Sequence, residues 1–100
     1  MDTLNKQPAE KYGVSINFAS RLPQNVTVSS GVVTAINAKT LEPDTSVYTS
    51  GTLAIDGSTA TAVIQNGTSG NKYQVTYTVT LSDGSILQED IKLVVKRQTI

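Results

Sequence analysis

Apolar residues recur along the chain with the period of extended strands. Tyr12, Val14, Ile16 and Phe18 occupy alternate positions, separated by Gly13, Ser15 and Asn17, as expected of a strand with one buried face. The run stops at ASRLPQN, where Pro23 lacks an N–H and restricts Leu22, so a turn or short helical turn follows. Residues 25 to 38 hold two β-rich runs on either side of Ser30 and Gly31, and the glycine predicts a bulge or a switch between sheets. KTLEPDTS reads as a loop. Short runs at 46 to 49, 52 to 55 and 58 to 65, separated by Ser50-Gly51 and Asp56-Gly57, predict a meander, with Ala60, Ala62 and Ile64 facing inward.

The clearest alternation is at 72 to 81, with Tyr73, Val75, Tyr77, Val79 and Leu81 on one face and Lys72, Gln74, Thr76, Thr78 and Thr80 on the other. Its partner spans 85 to 96. A two-residue Asp83-Gly84 turn would put Val75 opposite Lys92 and send the two apolar faces to opposite sides. A three-residue loop, Ser82-Asp83-Gly84 with Gly84 left-handed, pairs Val79 with Leu87, Val75 with Ile91 and Tyr73 with Leu93. That register is predicted. It also sets Glu89 opposite Tyr77, where a phenol-to-carboxylate hydrogen bond would satisfy an inward charge.

Residues 1 to 11 are polar, contain Pro8 and have no period, so they predict an arm or a peripheral strand lead-in. The remainder, 12 to 100, is long enough for one modest core. With about seven short strands and no helix, the expected fold is all-β, an immunoglobulin-like β-sandwich with a flexible N-terminal arm. A small open barrel is the alternative.

Composition narrows function mainly by exclusion. Eight Lys and Arg balance eight Asp and Glu, and they are scattered, so no basic stripe for nucleic acid or an anionic membrane is expected. The chain contains neither Cys nor His, which removes thiolate metal sites and nucleophiles, the commonest general base and the commonest zinc ligand. The abundant serines therefore have no His to activate them as nucleophiles. The N-terminus lacks the apolar run of a signal peptide, so the chain is expected to be soluble and made without export.

The segment NGTSGNKYQVTYTV brings Gly67, Gly70 and Lys72 together as a phosphate cradle might. A phosphate-binding loop, however, requires a different Gly-Lys spacing and a following helix, and here a strand follows. The glycines read better as turn positions, with Tyr73 as a tyrosine corner bonding back across the loop. Glu89 and Asp90, adjacent on a strand, point to opposite faces and cannot form a carboxylate pair. Asp44, Asp56 and Asp83 fall in turns, where Asp accepts local backbone hydrogen bonds. Asn25-Val26-Thr27 and Asn66-Gly67-Thr68 match the glycosylation sequon by chance in a Thr-rich chain. Lys92, Lys96 and Arg97 on a last, edge strand read as a guard against strand pairing. The Thr76, Thr78, Thr80 ladder is either a docking face or simply a solvated β-surface. No catalytic, cofactor-binding or metal-ligating residue is assigned, and no cofactor is expected.

Two stretches, KQPAEKYGVSINFASRL and GTSGNKYQVTYTVTLSDGSILQEDIKLVVK, resemble small structural proteins of tailed bacteriophages, the fibre-tail adaptor or neck-associated immunoglobulin-like type. The matching positions are Lys6, Pro8, Glu10, Arg21 and Leu22, then Gly67, Gly70, Tyr73, Val75, Thr76, Gly84, Glu89 and Asp90. Asn17-Phe18 departs from the family's usual Asp-Trp. The resemblance implies a non-enzymatic virion protein, made in the host cytoplasm and present in multiple copies in a symmetric assembly. It would dock onto neck, tail or fibre proteins, and no nucleic-acid or membrane partner is implied. Alternatives are an adhesion or carbohydrate-binding module of a bacterial surface protein, and a capsid-decorating or head-tail connecting protein.

Overall fold

A computed structural model of the chain describes residues 2–7, 10–67 and 70–95. Seven strands are found: β1 (Asp2–Lys6), β2 (Tyr12–Asn17), β3 (Val28–Asn37), β4 (Ala54–Asp56), β5 (Thr59–Ile64), β6 (Lys72–Leu81) and β7 (Ile86–Val95). They form two sheets, of order β1-β7-β6-β3 and β2-β5-β4. Each sheet turns one apolar row inward. Phe18, Ala60, Ala62 and Ile64 from the smaller sheet meet Val33, Val75, Tyr77, Val79 and Leu93 from the larger in one buried cluster. The expected sandwich is therefore present. Val47 and Leu53, from the connection between β3 and β4, complete the core.

The β6–β7 hairpin has the predicted register, with Val79 facing Leu87, Val75 facing Ile91 and Tyr73 facing Leu93. Gly84 has φ of 90°, and the Leu81 N–H donates to Ser85 O at 2.8 Å across the three-residue loop. Asp83 Oδ1 accepts from the Ser85 N–H at 2.9 Å, the local carboxylate-to-backbone bond expected of a turn aspartate.

Four expectations need adjustment. First, residues 28 to 37 form one strand, with the register shift falling between Val28 and Ser30. Gly31 has a different function: a Cβ there would lie 2.8 Å from Leu53 Cδ1 and 3.2 Å from Thr78 O. The glycine thus admits a close approach rather than a change of sheet. Second, the run at 46 to 49 contains a 3-10 turn, Thr45–Val47, opened by Asp44, whose Oδ1 accepts from the Ser46 N–H at 2.9 Å. Third, Asp2–Lys6, the lead-in that reads as an arm, pairs in parallel with Ile91–Val95. A ladder of backbone hydrogen bonds needs no apolar side chains, so polar composition does not bar a strand there. Fourth, β7 consequently lies inside its sheet rather than at the edge; Lys92 is on it, whereas Lys96 and Arg97 lie outside the described residues.

The strand order also differs from an antibody constant domain in one position. There the first strand lies beside the second, in the sheet that also holds the fifth and fourth. Here the sheets β2-β5-β4 and β7-β6-β3 are kept, but β1 joins β7. The edge of β2 is left without the strand that would cover it.

Candidate docking surfaces

The residues of the two resembling stretches meet in space. Arg21 lies in a 3-10 turn, Ala19–Arg21, directly after β2. Its Nη1 donates to Gln88 O at 2.8 Å and to Glu89 Oε2 at 2.9 Å. The carbonyl is the more informative partner. Because Leu81 and Ser85 bond across the hairpin, odd-numbered β7 residues turn their backbone groups to β6 and Gln88 turns its own away. β1 reaches only as far as Ile91, so the guanidinium occupies the place of a missing strand.

Lys6 makes a second strut. It is 3% exposed, and its Nζ donates to Gln7 O at 2.7 Å and to Asn66 O at 2.5 Å. Burial lowers its pKa, an effect opposed by the charge of Glu10. Glu10 in turn accepts from the Gln7 N–H at 2.7 Å. Lys6 therefore ties the end of β1 to the β5–β6 connection, and Arg21 ties the β2–β3 connection to the hairpin.

The loop from Asn66 to Asn71 turns the chain, as its glycines suggest. Gly67 and Gly70 have φ of 92° and 90°, and Asn66 has φ of 52°. A Cβ on Gly67 would fall 2.6 Å from Val95 Cγ2, so both φ and space demand glycine. The Gly70 N–H donates to Val95 O at 2.8 Å, and the Val95 N–H to Asn71 O at 3.1 Å. The Gly70 amide is thus used by the domain's own strand. A shallow cleft beside it, about 250 Å³, is lined by Ala38, Lys39, Gly70, Asn71 and Lys72. Tyr73 is buried, and its hydroxyl accepts from Asn71 Nδ2 at 3.4 Å.

The inward Glu89 does not meet Tyr77 as expected. Tyr77 is fully buried and its hydroxyl crosses the sandwich to Val14 O at 2.7 Å, while Glu89 turns to Arg21. A phenol can reach the far sheet because the residues facing it there, Ala60 and Ala62, are small. Burial pushes the Tyr77 pKa up to about 12, with a backbone hydrogen bond at Ala62 acting the other way. Sequence alone could not select this partner, since Val14 is remote along the chain. Asp90 faces the opposite way from Glu89, accepting from Thr76 Oγ1 at 2.7 Å.

On the outside of the larger sheet the paired positions form four rows: Ser30, Thr80 and Ile86; Val32, Thr78 and Gln88; Thr34, Thr76 and Asp90; Ile36, Gln74, Lys92 and Thr3. Hydrogen bonds bind neighbouring strands, from Gln88 Nε2 to Thr78 Oγ1 at 3.1 Å and from Ser29 Oγ to Thr80 O at 3.0 Å. Val32 and Ile86 are 49% and 63% exposed. The face is weakly charged and held by its own bonds, which limits the side-chain entropy lost on contact. Among the described residues no group of His, Cys, Asp or Glu is arranged to hold a metal ion.

A search of curated proteins returns no match to the chain. The family model for the podophage GP4 fiber-tail adaptor protein gp77 matches residues 6–94. That span includes the first resembling stretch, all but the last two residues of the second, and the intervening strands β3 to β5. It makes the chain part of the virion, with the structural role of a fibre-tail adaptor family. Its sandwich, its strut residues and this match agree that the chain belongs to the podophage fibre-tail adaptor family.

Proposed function

We propose that the protein works as a passive joint, docking onto neck, tail or fibre proteins through the outer face of the β1-β7-β6-β3 sheet. The observation that carries this reading is the bonded Ser, Thr and Gln grid flanked by the exposed Val32 and Ile86. Interface cores are depleted of charge and side chains already held by hydrogen bonds lose less freedom on contact; this face has Asp90 near its centre and Lys92 near its end. On this reading the lead-in at residues 1–11, whose β1 extends the docking sheet, docks together with the domain at 12–100, and several copies share a symmetric site on the particle. Synthesis in the host cytoplasm and a non-enzymatic role complete the picture.

The test is particle incorporation in a phage whose own copy is deleted. Thr78→Lys with Val32→Lys should leave the purified domain folded and cut incorporation at least about tenfold, the effect of two charges forced into an interface core. Normal particles from the double-lysine chain would remove the face from the mechanism.

A further inference from the structure

The edge of β2 is finished differently from the edge of β3. The Phe18 N–H donates to Ser58 O at 2.8 Å, and β2 pairs residue for residue with β5 from Tyr12–Ile64 to Asn17–Thr59. Even-numbered residues therefore bond to β5, and Gly13, Ser15 and Asn17 turn their N–H and C=O groups outward. Among the described residues no backbone partner outside β5 is found for Gly13 or Ser15. The edge of β3, by contrast, is occupied. The strap from Glu42 to Leu53 bonds along β3, including Val33 N–H to Gly51 O at 2.9 Å and Asp44 N–H to Ala35 O at 2.9 Å. Arg21 covers Gln88 on β7, and the Tyr12 hydroxyl donates to Asn5 O on β1 at 3.2 Å.

Natural edges are normally guarded by a charge, a proline or a bulge. β2 reads YGVSIN, carries none of these, and has no break in its register. We infer that β2 pairs antiparallel with β2 of a second copy of this chain, joining two three-stranded sheets into one across a two-fold axis at Ser15.

The strand is self-complementary about that residue. With Ser15 opposite Ser15 of the second copy, Gly13 faces Asn17 and both pairs exchange backbone hydrogen bonds. Val14 then faces Ile16 of the second copy in the closer, non-hydrogen-bonded position, twice by symmetry. Both residues are only half-buried in the single chain, at the rim of its core. No like charges are opposed, because the strand has no charge, and a two-fold contact requires each patch to match itself. A second copy would occupy the place that the first strand fills in an antibody constant domain. The inference follows from the strand order and is independent of the face proposed above.

Sedimentation of the purified full chain over a wide concentration range tests it. The native chain should form a dimer. Ser15→Pro removes an N–H that the single chain leaves unbonded, so the fold is kept, while two symmetric hydrogen bonds are lost and dimerisation should weaken roughly tenfold to a hundredfold. Ser15→Lys and Ser15→Glu should each self-associate poorly, and mixing them should restore a dimer of one of each. Val32→Lys, on the other sheet, should leave the dimer intact. A native chain that stays monomeric, a dimer unaffected by Ser15→Pro, or charge variants that do not rescue one another would each overturn the inference; the monomeric result would leave the edge to a strand from a different protein.

Discussion

The two lateral sides of the sandwich are built from similar strands but closed by different means. On one side the chain between β3 and β4 is strapped along β3 by backbone bonds, with Val47 and Leu53 fully or almost fully buried beneath it. On the other side, β1 covers half of β7, Arg21 covers part of the remainder, and β2 stays open. One side is sealed by buried apolar area, worth roughly 25 cal/mol per Å². The other is sealed by polar contacts that are individually small. Stability should therefore be unequally distributed, and association sites belong on the side where backbone groups remain available.

Two strand glycines provide the strongest contrast. Gly31 lies under the strap, where a Cβ would meet Leu53 Cδ1 at 2.8 Å, Val79 Cγ1 at 3.1 Å and the backbone Thr78 O at 3.2 Å. Gly13 lies on the open side, with Thr61 Cγ2 at an ordinary 3.4 Å. Gly31→Val is expected to destabilise by about 3 kcal/mol through overpacking, lowering Tm by at least about 10 °C. Gly13→Val should change stability by no more than about 0.5 kcal/mol. Thermal unfolding of both variants settles the comparison, and the addition of Leu53→Ala should recover part of the Gly31→Val loss. Equal effects at the two glycines would mean that the sides are not differently packed.

A smaller effect is expected where the two sheets are joined through the core. Tyr77→Phe removes the hydroxyl that reaches Val14 O and should cost about 1 kcal/mol. The variant also changes the response to alkali. Because the folded pKa is raised from 10.0 to about 12, the unfolded chain loses this proton first as pH rises. The Tyr77 contribution is complete below the unfolded value and is lost as pH climbs through the folded one. Denaturant titrations at increasing pH should show a steeper alkaline decline for the native chain than for Tyr77→Phe. Parallel curves would contradict burial of an ionisable hydroxyl between the sheets.

Much of this fold was legible because the larger sheet is written in strict alternation. Tyr73, Val75, Tyr77, Val79 and Leu81 could face only one way, and a slip of one residue would have inverted the β7 face, so the hairpin register followed from the pattern alone. The open side was harder to read. β1 is held by backbone pairing and by Lys6, whose buried Nζ bonds two carbonyls; a polar sequence gives no periodic signal for either. The partners of Tyr77 and Glu89 depended on which element crosses the hairpin, and nothing local in the chain specifies that Val14 and Arg21 arrive there. The docking grid was visible as a Thr ladder, but its completion by Val32, Gln88 and Ile86 required the order of the strands.

The smallest effect gives the finest test of how the open side is held. Arg21 and Glu89 are 42% and 39% exposed, so their charge attraction should contribute no more than about 1 kcal/mol. The bond to Gln88 O serves a separate purpose, because it fills an edge acceptor that β1 does not reach. Arg21→Ala removes both contacts and should lower stability by about 1 kcal/mol. Glu89→Gln removes the charge but leaves the guanidinium on Gln88 O, so its cost should be clearly smaller, and high salt should narrow the difference between native chain and Glu89→Gln. Urea unfolding at low and high salt distinguishes the two contacts. If Glu89→Gln costs as much as Arg21→Ala, the ion pair carries the contact, and Arg21 is not serving as a substitute for the missing stretch of strand.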